Sequence, residues 1–304
     1  MKILLFGMGG QVGWELQRSL APVGELVALD FDSTGMCGSF TDLAGIAATV
    51  RAVAPDVIVN AAAHTAVDKA EVEPELARTL NALAPGVLAE EANALGAWLV
   101  HYSTDYVFDG SGSVPWREGD VPAPLSVYGR TKLEGEQAVA RCLRHLIFRT
   151  SWVYAARGSN FAKTMLRLAS ERDRLSVVDD QFGAPTGAEL LADVSAHVLR
   201  TAIERPRVAG LYHVVAGGET NWHGYARLVI AFARKAGRSI KVADDAIEPV
   251  PGSAFPTPAR RPANSRLNTG KFRDTFGLAL PAWQVGVERV LAELHSSNLT
   301  GSAP

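Results

Sequence analysis

The chain has 304 residues, 47% of them hydrophobic and 20% charged, with a formal net charge of −2. That balance supplies a core for one large or two modest domains and lacks the basic excess of a nucleic-acid surface. No apolar run approaches the ~20 residues that span a bilayer, "MKILLFG" is broken too soon for a signal peptide, and the two cysteines, Cys37 and Cys142, form no CxxC, so the expectation is a cytoplasmic protein without membrane or nucleic-acid partners.

In chain order, "KILLFG" reads as a buried strand and "GWELQRSLAP" as the helix after it, ended by Pro22. "ELVALD" is the second strand, "TDLAGIAATVRAVAP" an amphipathic helix, and "DVIVNAAA" the third strand. A long helical stretch follows, "KAEVEPELARTLNALAPGVLAEEANALG". "WLVHYSTD" is strand four, "LEGEQAVARCL" a helix, and "HLIFRTSWVY" strand five. Unbroken apolar strands alternating with helices imply an α/β fold, a Rossmann-like doubly wound parallel sheet whose carboxyl strand ends bind ligands.

Beyond about residue 155 the alternation loosens. Helices are expected at "NFAKTMLRLASER", "AELLADVSAHVLRTAI" and "WHGYARLVIAFARKAG", a strand at "GLYHVVAGG", and a proline-rich loop at "PVPGSAFPTPARRPANSRL". The expected organisation is a dinucleotide-binding domain over 1–155, with return segments at about 175–215. A smaller α/β substrate-binding domain takes up most of 156–295, and the polar tail 296–304 reads as disordered.

Between the first strand and helix, Gly7, Gly10 and Gly13 recur every third residue. Glycine permits a tight turn and close approach of a pyrophosphate, and the helix N-terminus offers free N–H groups with positive potential. Asp30 ends strand two, where a carboxylate can accept hydrogen bonds from an adenosine ribose. Ala61, Ala62 and Ala63 end strand three and leave room for a flat cofactor, while His64 reads as a packing residue beside it.

Ser103, Thr104 and Asp105 end strand four, and "SVYGRTKLEGE" places Tyr128 and Lys132 one helical turn apart. A tyrosine's ordinary pKa is about 10, so a phenol moving protons at neutral pH needs a cation nearby. Thr104 to hydrogen-bond a substrate oxygen, Tyr128 to protonate it and Lys132 to steady the tyrosinate make a coherent set. Arg130, between them, reads as solvated.

The glycine turn, Asp30, "NAAAHT", "STDYVF" and "YGRTK", in that order, resemble the extended short-chain dehydrogenase/reductase family. "FRTSWVY", "NFAKTM", "DQFGAPT" and "PTPARRPANSRL" extend the resemblance to about residue 294 and point within the family to reductases of a nucleotide-sugar ketone. The resemblance implies hydride transfer from NADPH or NADH, with Tyr128 as proton donor, Lys132 tuning the phenol and holding the nicotinamide ribose, and Thr104 polarising the carbonyl. By the same resemblance the cofactor contacts Gly7, Gly10, Gln11, Val12, Gly13, Asp30, Ser39, Phe40, Ala63, His64, Thr65 and Tyr102. Thr104, Asp105 and Trp152 would touch the sugar, an aromatic face suiting its C–H side, and Arg260 and Arg261 the diphosphate. It implies further a homodimer, with Mg²⁺ at its interface held by Glu15, Glu189 and Glu293. An epimerase or another keto-sugar reductase of the same fold, or a non-catalytic regulatory subunit, stays open at this stage.

Overall fold

The computed structural model describes residues 1–300. Six parallel strands form the central sheet: β1 (Lys2–Phe6), β2 (Glu25–Leu29), β3 (Val57–Asn60), β4 (Trp98–Thr104), β5 (His145–Thr150) and β6 (Gly210–His213). Their order is β6-β5-β4-β3-β1-β2, all neighbours parallel. Successive side chains of each strand enter opposite cores. Ile3 and Leu5 pack on one face with Val57, Val59, Leu146 and Phe148. Leu4 and Phe6 pack on the other with Ile58, Leu99 and Ile147. Burial on both faces is why these strands read as unbroken apolar runs.

Helices α1 (Gln11–Leu20), α2 (Leu43–Val53), α3 (Ala84–Leu95) and α4 (Val127–Val139) flank the sheet. Asp42 caps α2 by accepting from the Gly45 amide at 2.8 Å, and Ser126 caps α4 through the Gly129 amide at 3.1 Å. That cap starts α4 at Val127, earlier than the "LEGEQAVARCL" pattern suggests, and brings Tyr128 into its first turn.

The stretch 69–96 is not one helix. Short helices Val67–Ala70 and Pro74–Arg78 lead into a π-helical turn, Thr79–Leu83, before α3. Pro85 explains the turn: it has no N–H for the Asn81 carbonyl, and its ring crowds that oxygen. Gly135 of α4 packs directly against that carbonyl, where a Cβ would lie 2.0 Å from the oxygen.

In the second half follow α5 (Phe161–Glu171), α6 (Ala188–Glu204), α7 (Trp222–Lys235), α8 (Gly270–Phe276) and α9 (Trp283–Thr300). Helix α6 and strand β6 return to the sheet, α6 lying against α1, and Phe272 and Phe276 of α8 join the same core. A separate core gathers Met165, Leu166, Tyr225, Val229, Val287 and Leu291 from α5, α7 and α9. The run "HLIFRTSWVY" breaks after Thr150, since Trp152 takes a left-handed φ of 50° that no strand accommodates. Helix α9 occupies part of the expected disordered tail by running to Thr300; residues 301–304 lie outside the described residues. Among the described residues no helix is long and apolar enough to cross a membrane.

Candidate active site

The sheet order reverses at β1, with β2 on one side and β3 on the other, so a crevice opens at their carboxyl ends. The glycine turn sits there. Gly7 has φ of 83°, and a Cβ on it would lie 2.6 Å from the Ala62 amide nitrogen. A Cβ on Gly13 would lie 1.9 Å from the Gly7 carbonyl oxygen, so α1 packs against the turn only because that atom is missing. Gly10 is less constrained, its would-be Cβ meeting only the Gly7 oxygen at 3.5 Å. It is the N-cap of α1 without a side-chain cap, so the first-turn N–H groups are left to a ligand.

Gly9, which the three-residue spacing passes over, ties this turn to β2. Its amide donates to Asp30 Oδ2 at 2.9 Å, and a Cβ there would strike that oxygen at 2.2 Å. Asp30 Oδ1 accepts from the Phe31 amide at 2.9 Å, so the carboxylate is aimed by two backbone donors. Gln11 receives the Asn160 side chain at 3.3 Å, and Arg157 lies over the Trp14 ring while donating to the Gly9 carbonyl. Val12 packs into the core below. The cradle, its uncapped helix and the fixed acid fit a dinucleotide.

The other cofactor candidates are more scattered. Ser39 bonds Thr41 at 2.8 Å, and the Phe40 ring is buried edge-on against Phe6, leaving only its backbone for a ligand. Ala63 is half-buried and Thr65 exposed. His64 donates its backbone N–H to Asn81 Oδ1 at 2.8 Å and accepts at its carbonyl from Asn81 Nδ2 at 3.1 Å, while its ring Nε2 lies 3.3 Å from Glu73 Oε2. Tyr102 sends its hydroxyl to Ser195 on the far face, at 2.6 Å, and offers the crevice only its carbonyl oxygen.

Thr104 ends β4, accepts from the Tyr106 amide at 3.2 Å and donates to Asp105 Oδ1 at 3.1 Å. Burial pushes the Tyr128 phenol up to about 12, Thr104 opposing and the Asp105 charge adding to the rise. Asp105 is pushed up to about 6 by burial, against hydrogen bonds from Ser265 and Thr104, and its Oδ2 has no protein partner. Lys132 donates to the Tyr102 carbonyl at 2.6 Å and sits 3.4 Å from His101 Nε2. Burial brings it down to about 8, with Glu136 pulling the other way. Lys132 thus stands one turn along α4 from Tyr128 with one of its donors committed to the Tyr102 carbonyl. Arg130 is exposed.

Two further groups lie beneath. Arg149 forks Glu136 at 2.8 and 2.6 Å, and Ser103 donates to the same carboxylate. Both charged side chains are 4% exposed. Asn60 bonds His101 at 3.0 Å. No local pattern in the sequence singles these residues out, since the partners come from different strands and helices.

A cavity of about 1210 Å³ is lined by Tyr106, Phe161, Gln181, Trp222, Arg260 and Arg261 among others. Tyr106 also meets Tyr128 edge-on at 5.5 Å, joining cavity and phenol. Trp152 reaches the cavity through Trp222, on which it stacks at 3.7 Å. Arg260 is exposed, whereas Arg261 is held by Asp68 at 2.7 and 3.1 Å, so the two arginines are not an equivalent pair. Glu15 pairs with Arg18 and Glu189 with Arg289, while Glu293 lies exposed on α9. Among the described residues no group of three or more His, Cys, Asp or Glu side chains could hold a metal ion, so the magnesium set does not assemble within one chain.

The family model of the RmlD substrate binding domain matches residues 1–296. The dTDP-4-dehydrorhamnose reductase of Salmonella typhimurium is 63% identical over 298 residues, covering 98% of this chain and 99% of that protein. Its Burkholderia thailandensis counterpart is 48% identical over 302 residues, covering 97% and 100%. The crystal structure of the Bacillus anthracis dTDP-4-dehydrorhamnose reductase in complex with NADP is similar at a TM-score of 0.85 and 34% identity, covering 96% of this chain and 99% of that one.

Proposed function

This chain belongs to the dTDP-4-dehydrorhamnose reductase family, and from that premise we propose that it reduces the C4 ketone of dTDP-4-dehydro-β-L-rhamnose to dTDP-L-rhamnose. The observation that carries the reading is the placement of Thr104 at the end of β4 and of Tyr128 and Lys132 one turn apart on α4, with Tyr106 linking the phenol to the large cavity. Bound NADH or NADPH supplies the hydride.

The chain's own part is to place the ketone and manage the proton. Tyr128, half-buried and protonated at neutral pH, gives its proton to the oxygen as negative charge develops there; an alkoxide is a far stronger base than a phenolate, so a raised phenol still donates. Thr104 keeps the hydroxyl aimed and polarises the carbonyl, and Asp105, with its unpartnered oxygen, takes a sugar hydroxyl. Lys132 in its ammonium form steadies the tyrosinate and holds the nicotinamide ribose. The glycine turn receives the pyrophosphate and Asp30 the adenosine ribose. On the cavity side Trp152 contacts the sugar, and Arg260 and Arg261 take the diphosphate. Residues 1–155 with α6 and β6 serve the cofactor, and most of 156–295 the nucleotide sugar. A cytoplasmic homodimer goes with the reading.

The test follows absorbance at 340 nm with purified protein, each reduced cofactor and dTDP-4-dehydro-L-rhamnose. Oxidation is expected from the wild type, with a loss of about 10²–10⁴-fold in Tyr128→Phe and cofactor binding retained. A wild type that binds cofactor without consuming it would return the chain to the regulatory-subunit reading; the ratio of the two cofactor rates gives the preference.

A further inference from the structure

Beneath the catalytic face three buried side chains line up: Asn60 on β3, His101 opposite it on β4, and Lys132 on α4. Each is at most 2% exposed, so their hydrogen bonds must be found within the protein. The Ala62 amide donates to Asn60 Oδ1 at 3.0 Å. That bond distinguishes the amide oxygen from its nitrogen, so Nδ2, which can only donate, is the atom 3.0 Å from His101 Nδ1. Nδ1 therefore accepts. The proton of the neutral imidazole then sits on Nε2, which lies 3.4 Å from Lys132 Nζ. An ammonium has three donors and no acceptor, so it meets this N–H as a second donor, whereas an uncharged amine has a lone pair to receive it. Either form keeps a donor bond to the Tyr102 carbonyl.

We propose that Asn60 and His101 are positioning residues for the reduction: Asn60 holds His101 in the tautomer that presents Nε2–H to Lys132, and this N–H favours the amine over the ammonium. The proposal rests on the role given above to Lys132. Its consequence is a lysine whose charge, and not only its place, responds to pH within the working range of the enzyme.

The groups around Lys132 fit that balance. Glu136 and Tyr128 share its helix, His101 faces it from β4, Asp105 sits in the turn after β4, and Arg149 reaches in from β5. Glu136 favours the ammonium, but Arg149 forks its carboxylate and takes up much of its charge. Burial acts in the same direction as the His101 N–H. His101 itself stays neutral, held well below the ordinary histidine range by burial and then by the Lys132 charge.

Two measurements test this. Nitrogen NMR of the wild-type chain labelled at histidine reads the tautomer without any turnover; a bare Nδ1 and a protonated Nε2 are expected at His101, and the reverse pattern or an imidazolium overturns the proposal. The pH profile of kcat/KM tests the consequence. Asn60→Asp keeps the acceptor for Ala62 but offers Nδ1 a carboxylate, which moves the proton to Nδ1 and turns a lone pair toward Lys132. The alkaline limb should then move up by about one pH unit, leaving ~tenfold more activity well above the wild-type midpoint. A new carboxylate favours an ammonium by charge alone, so His101→Phe, which deletes the N–H and adds no charge, is run beside it and should shift the limb the same way. An unmoved limb in His101→Phe makes His101 packing only and sinks the proposal. A wild type that never oxidises reduced cofactor sinks the reductase reading instead, while the NMR result stands on its own.

Discussion

On the strand side of the crevice, Asn60, His101, Thr104, Asp105 and Lys132 are each no more than 4% exposed, and most of their polar atoms have a partner from another element. On the loop side, Arg260 stands in solvent and Arg261 is positioned by one carboxylate, Asp68. In the proposed reading the chemistry is thus held by buried contacts that constrain one another, where a misplaced proton donor costs rate. Recognition of a nucleotide sugar falls, in the same proposed reading, to a wide cavity with a few polar groups on proline-rich loops, which can yield to a ligand.

The sharpest way to break that contrast is Arg149→Met. It strands the buried Glu136 carboxylate with only Ser103, and about 3–5 kcal/mol of stability should be lost; the midpoint of urea unfolding measures it, and a loss under 1 kcal/mol would mean the strand side is not held as described.

Asp105→Asn should act in the opposite direction. Below about pH 4 the carboxyl is protonated whether the chain is folded or not. Between about pH 4 and 6 the native chain holds a proton that the unfolded one has given up, so stability falls as pH rises, and above about 6 the full cost is present. The rise from 3.8 to about 6 is roughly two units, so the variant should gain up to ~3 kcal/mol at pH 7, almost nothing at pH 4, and lose activity. Thermal melts at the two pH values decide it.

Gly13→Ala should cost about 1–3 kcal/mol, because the new methyl meets the Gly7 carbonyl and α1 must back away. Cofactor titration should show weakened binding along with the lower melting temperature. The smallest effect belongs to the loop side. Arg261→Ala removes a partly exposed ion pair and should change stability by under ~1 kcal/mol, while raising KM for the nucleotide sugar and leaving cofactor KM unchanged. An equal rise in both would join the two sides into one unit.

The two sides also differed in how far they could be read from the chain. The first strands, the glycine turn and the Tyr128–Lys132 spacing are local patterns, unbroken apolar runs, a three-residue glycine repeat and one helical turn, and so are legible along the chain. Gly9 escaped the triplet because its reason for being glycine is Asp30, 21 residues away. His101 sits 31 residues from Lys132 and 41 from Asn60, and it looks like any polar residue in a strand until β3 and β4 are placed in register. The pairing of Arg261 with Asp68 spans 193 residues.

The sequence by itself therefore determined the layered α/β architecture, the glycine turn after β1 and the Tyr128–Lys132 spacing, since those depend on patterns along one element. Only the tertiary structure decided that Asn60, His101 and Lys132 meet, what engages the Glu136 carboxylate and which arginine is already held. Those depend on donors and acceptors brought together from different strands, in an interior too dry to leave any of them unpaired at little cost.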